Sequence, residues 1–245
     1  MDQSKFYASQ ISTSAKVAED RLVTILKTAE IQNKCYAFKT RVKPWDKLLG
    51  KVDIKKKNKP EYELGSITDV LGLRVVTLFR QDMIDVVETI LDLISHELPY
   101  NPIPFVKNGL QEALIYTPSV GNDLVISQIK QKINSYALLS KNDVEEIASA
   151  ARYSSIHLVA FIDEPVPDYS HTYRIPIEIQ IRTVFEDAWG EIDHKYGYQG
   201  RVGKDETHVQ LQHPVHVEKN LLTLKKFVDS CSEYADNIRD LATER

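Results

Sequence analysis

The sequence predicts an α+β fold, in which a mixed β-sheet of about five strands is flanked by helices and one further helix lies near each end of the chain. Apolar and polar residues alternate in residues 176–182, which is typical of a β-strand. Other strand-like segments recur between stretches with helical spacing. Amphipathic patterns lie near both termini, and a length of 245 residues suits a single domain.

Helical spacing of apolar residues predicts four helical segments. They are expected in residues 11–34, from Asp82 through His96, in residues 185–198 and at about 216–243. The last of these is strongly amphipathic, so it either closes the core or forms a dimer interface.

Short runs of apolar and β-branched residues predict the strands. They are expected at residues 73–79, 112–117, 156–162 and 175–182. Residues 121–150 between them are polar and favour helix. We interpret this stretch as a helical insertion into a core of about residues 34–205.

Composition restricts the compartment and the class of ligand. The chain has a net charge of −4, no apolar run that could span a membrane and no apolar N-terminal leader, so we expect a cytosolic protein without membrane contact. Cys35 and Cys231 lack metal-type spacing and are predicted to be buried free thiols. Residues 34–59 are strongly basic, opposed only by Asp46 and Asp53. This local block favours a phosphate-rich ligand over general coating of nucleic acid such as DNA.

The strand-like segment at residues 176–182 carries the clearest functional signal. Three isoleucines share one face, whereas the other face carries Glu178, Gln180 and Arg182. The segment leads into an aromatic-rich helical stretch, which indicates an internal strand. A buried carboxylate needs a counter-cation, and metal-bound polyphosphate supplies one. The alternative is an edge strand whose polar face is solvated.

Four further segments accompany this strand, at residues 40–49, 67–79, 152–159 and 188–194. Together and in this order they resemble the synthetase domain of the RelA/SpoT family, the enzymes that make the alarmone (p)ppGpp. The match runs roughly over residues 34–198, and the architecture is most similar to the single-domain small alarmone synthetases. The resemblance implies a nucleotidyltransferase-like synthetase domain that spans residues 1–245.

The resemblance also implies an activity and its site. The β,γ-pyrophosphate of ATP would pass to the 3′-hydroxyl of GDP or GTP, with Mg²⁺ held by the catalytic acids Asp69 and Glu178. The implied ATP-binding residues are arginines that sandwich adenine and lysines that face the phosphates, namely Arg41, Arg74, Lys43 and Lys47. The implied acceptor-binding residues are Tyr153, Ser155, His157, Gln180, Arg182 and His194.

Three of these side chains also have a simpler interpretation. Asp69 suits a helix or turn cap, Arg74 an ion pair, and His157 a hydrogen-bonded core histidine. The segment around Tyr153 departs from the family, because Arg152 replaces a glycine and Ser154 replaces a longer polar or basic residue.

Several alternatives therefore remain for the function. A toxic small alarmone synthetase would use adenine nucleotides or the 3′ end of tRNA as acceptor and would have an antitoxin partner. A non-catalytic nucleotide sensor is another class. The chain lacks a His-Asp dipeptide, so the hydrolase activity of the bifunctional relatives is not expected. Relatives of the compact type often form homo-oligomers.

Overall fold

The computed structural model describes residues 3–28, 31–95, 105–106, 109–117, 123–136, 144–148, 154–165, 172–198 and 212–243. Within them the strands are β1 (Ala37–Val42), β2 (Leu71–Thr77), β3 (Glu112–Thr117), β4 (Glu145–Ala148), β5 (Ser155–Pro165) and β6 (Thr172–Thr183). They form one sheet in the order β1-β2-β6-β5-β3-β4. The β2/β6 and β3/β4 pairs are parallel and the others are antiparallel. The predicted α+β class with a mixed sheet is confirmed.

Helices flank this sheet. They are α1 (Gln3–Thr28), α2 (Ile31–Lys34), α3 (Trp45–Lys56), α4 (Asp82–Ser95), α5 (Leu124–Ser135), α6 (Val184–Asp193) and α7 (Pro214–Thr243). A 3₁₀ turn covers Leu64–Ser66 and a π-helical turn covers His194–Tyr198. None of the helices in the described part of the chain is long and apolar enough to cross a lipid bilayer.

Two strands were not predicted from the sequence. Strand β1 lies inside the basic segment, and β4 lies inside residues 121–150, beyond helix α5. Both are edge strands. Strand β4 has only four residues, too few for a clear pattern, and the cations of β1 belong to the basic segment. The sheet consequently has six strands in the described residues, where about five were expected.

Strand β6 is internal, as its sequence indicated, because it lies between β2 and β5. The edge-strand alternative is therefore wrong. One face of β6 contributes Ile177, Ile179 and Ile181, which are fully buried in the core with α1 and α4. Burying a side chain of this size contributes about 1.5–3 kcal/mol. Since the strand is held from this face, its opposite, polar face is presented in a fixed orientation.

Helix α7 packs one of its faces against α6 and the π-helical turn. Leu221 and Val228 are buried, and the indole nitrogen of Trp189 donates a 3.1 Å hydrogen bond to the Leu221 carbonyl. The neighbouring face of α7 leaves several large apolar side chains exposed, at Phe227, Tyr234, Ile238 and Leu241. The predicted burial of both cysteines is wrong for Cys231, which lies on this exposed face, and Cys35 is half-buried.

Candidate functional site

A row of polar side chains crosses the sheet on the face opposite the core. Strand register places Lys39 of β1 beside Arg74 of β2, Arg74 beside Gln180 of β6, and Gln180 beside His157 of β5. Side chains at paired positions lie on the same face of a sheet. Four strands that are distant in sequence therefore bring two cations, an amide and an imidazole into one line.

Glu178 lies at the centre of this face and is hydrogen-bonded on both of its oxygens. Gln180 Nε2 donates to Oε2 at 2.8 Å, and His157 Nδ1 lies 3.3 Å from Oε1. Arg182 donates in turn to the Gln180 amide oxygen. The Tyr116 ring meets the His157 ring edge-on, with their centroids 4.9 Å apart.

These contacts decide the ionisation of Glu178. Burial raises the pKa of this carboxyl, but the hydrogen bond and charge of His157 and the hydrogen bond of Gln180 outweigh it. The net pKa of Glu178 is lowered, so the group is an ionised hydrogen-bond acceptor at neutral pH.

Asp69 lies just before β2 and forms ion pairs with two lysines. Lys51 Nζ lies 2.8 Å from Oδ1, and Lys43 Nζ binds Oδ2. Burial raises the pKa of Asp69, but the two lysines outweigh it, and the net pKa is lowered. The carboxylate thus lies in a lysine cluster. The sequence missed Lys51 and indicated Lys47, which lies one turn earlier and is exposed.

The two acids are close enough to interact, because the charge of Asp69 raises the pKa of Glu178 as a minor contribution. Mg²⁺ prefers one or two carboxylates together with phosphate oxygens of the substrate. The described residues contain no cluster of three or more histidine, cysteine or acidic side chains that could hold a metal. Asp69 and Glu178 therefore suit a Mg²⁺ ion that is bound partly by a polyphosphate substrate better than one bound by protein ligands alone.

A buried acid on α6, Asp187, forms ion pairs with the cations at one end of the row of polar side chains. Its Oδ1 lies 2.8 Å from Arg74 Nη1 and its Oδ2 lies 2.9 Å from Lys39 Nζ. Arg182 Nη1 is 3.8 Å from Oδ1. Glu191, one turn further along α6, also accepts from Arg74. The ion-pair interpretation of Arg74 is thus confirmed.

Two other sequence-predicted residues, Arg41 and Ser155, lie on the strands of the sheet, and His194 lies apart from them. Arg41 is exposed on β1, two residues from Lys39 and hence on the same face. Ser155 is buried at the start of β5, where its hydroxyl donates to the Ile181 carbonyl at 3.4 Å. His194 is exposed after α6, in a shallow surface depression with Tyr196. Tyr153 lies outside the described residues.

Beyond Ser155 the polar face opens into a cavity of about 180 Å³. Its walls come from β3, β5, α4, α5, α6 and α7, and include Tyr116, Ser154, Ser155 and Asp229. Tyr116 connects the cavity to Glu178, since its ring contacts His157. The sequence indicated Ser155 here but neither Tyr116 nor any residue of α7, because their proximity depends on packing between distant elements.

Comparison with known proteins supports the family resemblance. Residues 119–202, about a third of the chain, match the model of a region found in RelA / SpoT proteins. No curated protein sequence matches the chain.

Solved structures match along the chain. Small alarmone synthetase 1 from Bacillus subtilis matches at 19% identity and a TM-score of 0.60, with 100% of both chains covered. The same values hold for that enzyme bound to its product pppGpp. A GTP pyrophosphokinase family protein from Streptococcus pneumoniae matches at 21% identity and a TM-score of 0.57, covering 98% of this chain and 94% of its own.

Proposed function

Since residues 119–202 carry the RelA/SpoT region on a chain with the fold of the small alarmone synthetases, we propose that this protein is a pyrophosphokinase. It transfers the β,γ-pyrophosphate of ATP to the 3′-hydroxyl of GDP or GTP, and it works as a single cytoplasmic synthetase domain without hydrolase activity. The observation that carries this proposal is the carboxylate of Glu178, held by Gln180 and His157 on a sheet face that also presents the cations Lys39 and Arg74.

The cationic side of the face suits ATP. The guanidinium groups of Arg41 and Arg74 are planar and permanently charged, so they can stack on a purine ring. Lys43 and Lys51 lie together at Asp69 and can bind the phosphates. Asp69 and Glu178 would hold Mg²⁺, which when bound neutralises charge on the phosphate oxygens. The resident ion pairs of Arg74 with α6 hold its guanidinium at the site before ATP arrives.

Glu178 suits the acceptor. Its ionised carboxylate can accept the hydrogen bond of the 3′-hydroxyl and then its proton as the oxygen attacks the β-phosphorus of ATP. The bond from the β-phosphorus to the α–β bridging oxygen breaks, and AMP leaves. His157 and Gln180 hold the carboxylate in place, so the attacking oxygen is oriented before the reaction.

The test uses ATP labelled in its β- and γ-phosphates, with Mg²⁺ and separate acceptors: GDP, GTP, ADP, ATP and deacylated tRNA. Glu178→Gln removes the anionic acceptor but keeps the shape of the side chain, so it is expected to abolish transfer while ATP still binds. Glu112→Gln changes an exposed acid on β3 and serves as the matched control. Incubation of the product with the enzyme tests for hydrolysis.

Transfer to a guanine nucleotide that is lost in Glu178→Gln supports the proposal. Label on tRNA or adenine nucleotides alone would show that these, and not guanine nucleotides, are the acceptors, as in the toxin-type chemistry. Binding of ATP without transfer to any acceptor would refute the proposal and leave a nucleotide-sensing role.

A further inference from the structure

A lysine of the C-terminal helix is buried beside the polar face. The side chain of Lys225 on α7 is only 3% exposed. Lysine is rarely fully buried unless it is paired, because an ammonium group loses its hydration on burial. A charge at this position therefore requires specific partners.

Lys225 has three such partners. It pairs with Asp229 one turn further along α7, it donates a 3.2 Å hydrogen bond to Ser154 Oγ, and its Nζ lies 5.9 Å from the centroid of the Trp189 ring. A lysine and an aspartate four residues apart can pair anywhere on the surface of a helix. The pair with Asp229 therefore compensates the charge but does not account for its burial against Ser154.

Ser154 connects Lys225 to the cavity beside the polar face. It lines this cavity together with Asp229 and Tyr116. The Tyr116 ring contacts His157, which lies 3.3 Å from Glu178. Lys225 thus contacts one wall of a cavity whose other wall, at Tyr116, is connected through His157 to the proposed catalytic acid.

Ser154 is also held in place at its C-terminal side. The next residue, Ser155, is buried and begins β5, where its hydroxyl donates to the Ile181 carbonyl. Ser154 is thus restrained from two sides, by Lys225 of α7 and by the strand that begins at Ser155.

Helix α7, which carries Lys225, is itself hydrogen-bonded to neighbouring parts of the structure. Trp189 donates to the Leu221 carbonyl at 3.1 Å, and Asp236 accepts a 2.9 Å hydrogen bond from the backbone of Arg80. These anchors lie on both sides of Lys225 along the helix. A side chain on an anchored helix positions its partner more accurately than one on a loop.

We propose that Lys225 is a positioning residue for the acceptor nucleotide. Through Ser154 it holds the start of β5, beside the cavity that Tyr116 also lines, in the geometry that receives the acceptor. This inference rests on the proposed pyrophosphate transfer. ATP binds at the opposite, cationic end of the row, so Lys225 acts on one substrate only.

The test compares Lys225→Met, Lys225→Arg and the matched control Lys226→Met, which changes an exposed lysine of the same helix. Lys225→Met removes a charged hydrogen bond and is expected to raise the KM for GDP or GTP about tenfold or more. The KM for ATP should change less than about twofold. Lys225→Arg should recover part of the loss, and Lys226→Met should behave like the unmodified protein.

A double-mutant cycle with Ser154→Ala tests whether Lys225 acts through Ser154. If it does, the two losses are not additive, since each substitution removes the same contact. An unchanged acceptor KM in Lys225→Met, equal changes for both substrates, or additive losses would each overturn the inference.

An independent readout separates this inference from the proposed function. Hydrogen exchange of the amides in residues 154–158 is expected to be faster in Lys225→Met than in Lys226→Met, even if the protein transfers no pyrophosphate. Absence of transfer in the unmodified protein would count against the proposed function. Unchanged exchange in Lys225→Met would count against the role of Lys225.

Discussion

The carboxylate of Asp187 on α6 lies 2.8 Å from Nη1 of Arg74 on β2. The same carboxylate binds Lys39 of β1 and lies 3.8 Å from Arg182 of β6, so one buried acid connects three strands through their cations. Side chains of arginine and lysine lose much rotamer freedom when they are ordered. Because Asp187 already holds these cations in place, less of this freedom remains to be lost when a nucleotide binds.

We expect Asp187→Asn to weaken ATP binding more than Glu191→Gln does. Both substitutions remove an acid that binds Arg74, but the Asp187 side chain is 11% exposed and that of Glu191 is 58% exposed. Ion pairs of exposed side chains contribute little because water screens them. The KM for ATP should rise about tenfold or more in Asp187→Asn and less than about threefold in Glu191→Gln. Equal effects of the two substitutions would show that the burial of Asp187 is irrelevant to ATP binding.

We expect His157→Ala to shift the pH–activity profile on its acidic side, so that activity is lost at a higher pH than in the unmodified protein. His157 lowers the pKa of Glu178 by donating a hydrogen bond to its ionised form. Without this donor the effect of burial dominates, so Glu178 becomes protonated at a higher pH. The measurement is kcat/KM between about pH 4 and pH 8. His216→Ala, a change at an exposed histidine of α7, is the control. Superimposable acid limbs in the two variants would contradict this role of His157.

The same substitution should change how stability depends on pH. The folded-state pKa of Glu178 lies below its unfolded value, so the ionised group stabilises the fold above the unfolded pKa, and this contribution is lost as pH falls through the folded pKa. Removal of His157 raises the folded pKa and reduces this contribution. The free energy of unfolding in urea should therefore differ less between about pH 7 and about pH 4 in His157→Ala than in the unmodified protein.

We expect Asp69→Asn to raise the Mg²⁺ concentration needed for half-maximal transfer by more than about tenfold. The substitution leaves an amide between Lys43 and Lys51, so the lysines remain but the metal loses an anionic ligand. Titration of activity with Mg²⁺ measures the change. Asp53→Asn, at an exposed acid on α3, should leave the titration unchanged. A normal Mg²⁺ titration in Asp69→Asn would show that Asp69 does not bind the metal and only forms ion pairs with the two lysines.

We expect Trp189→Phe to lower the free energy of unfolding by about 1–3 kcal/mol. Trp189 is 1% exposed, and its loss leaves the Leu221 carbonyl without the indole donor. Urea denaturation measures the change. Ile192→Val on the same helix alters a side chain that is 40% exposed, so its effect should stay within about 0.5 kcal/mol. A similar loss in both variants would mean that the contact of α6 with α7 is not a major source of stability.

The shared face of Glu178, Gln180 and Arg182 could be predicted from the sequence alone. Alternation of side chains is a local property of a strand, so six consecutive residues were enough to place these groups together. The aromatic-rich helical stretch that follows indicated an internal strand, again from residues that are neighbours in the chain. The start of α6 is also locally encoded, because Thr183 and Glu186 form a reciprocal cap with each other's backbone.

The partners of those groups depended on tertiary structure. Asp187 meets Lys39 across 148 positions of sequence, and Lys225 meets Ser154 across 71. Lys51 reaches Asp69 although Lys47 lies on the same side of α3, one turn earlier, so the difference is one of position along the helix.

The sequence by itself therefore determined the central strand, its polar face and the family resemblance, since all three depend on residues that are neighbours in the chain. The tertiary structure alone decided the strand order, the edge strands β1 and β4, and the ion pairs that orient the cations. Strand register and helix packing depend on the summed contacts of distant segments, and no single segment encodes them.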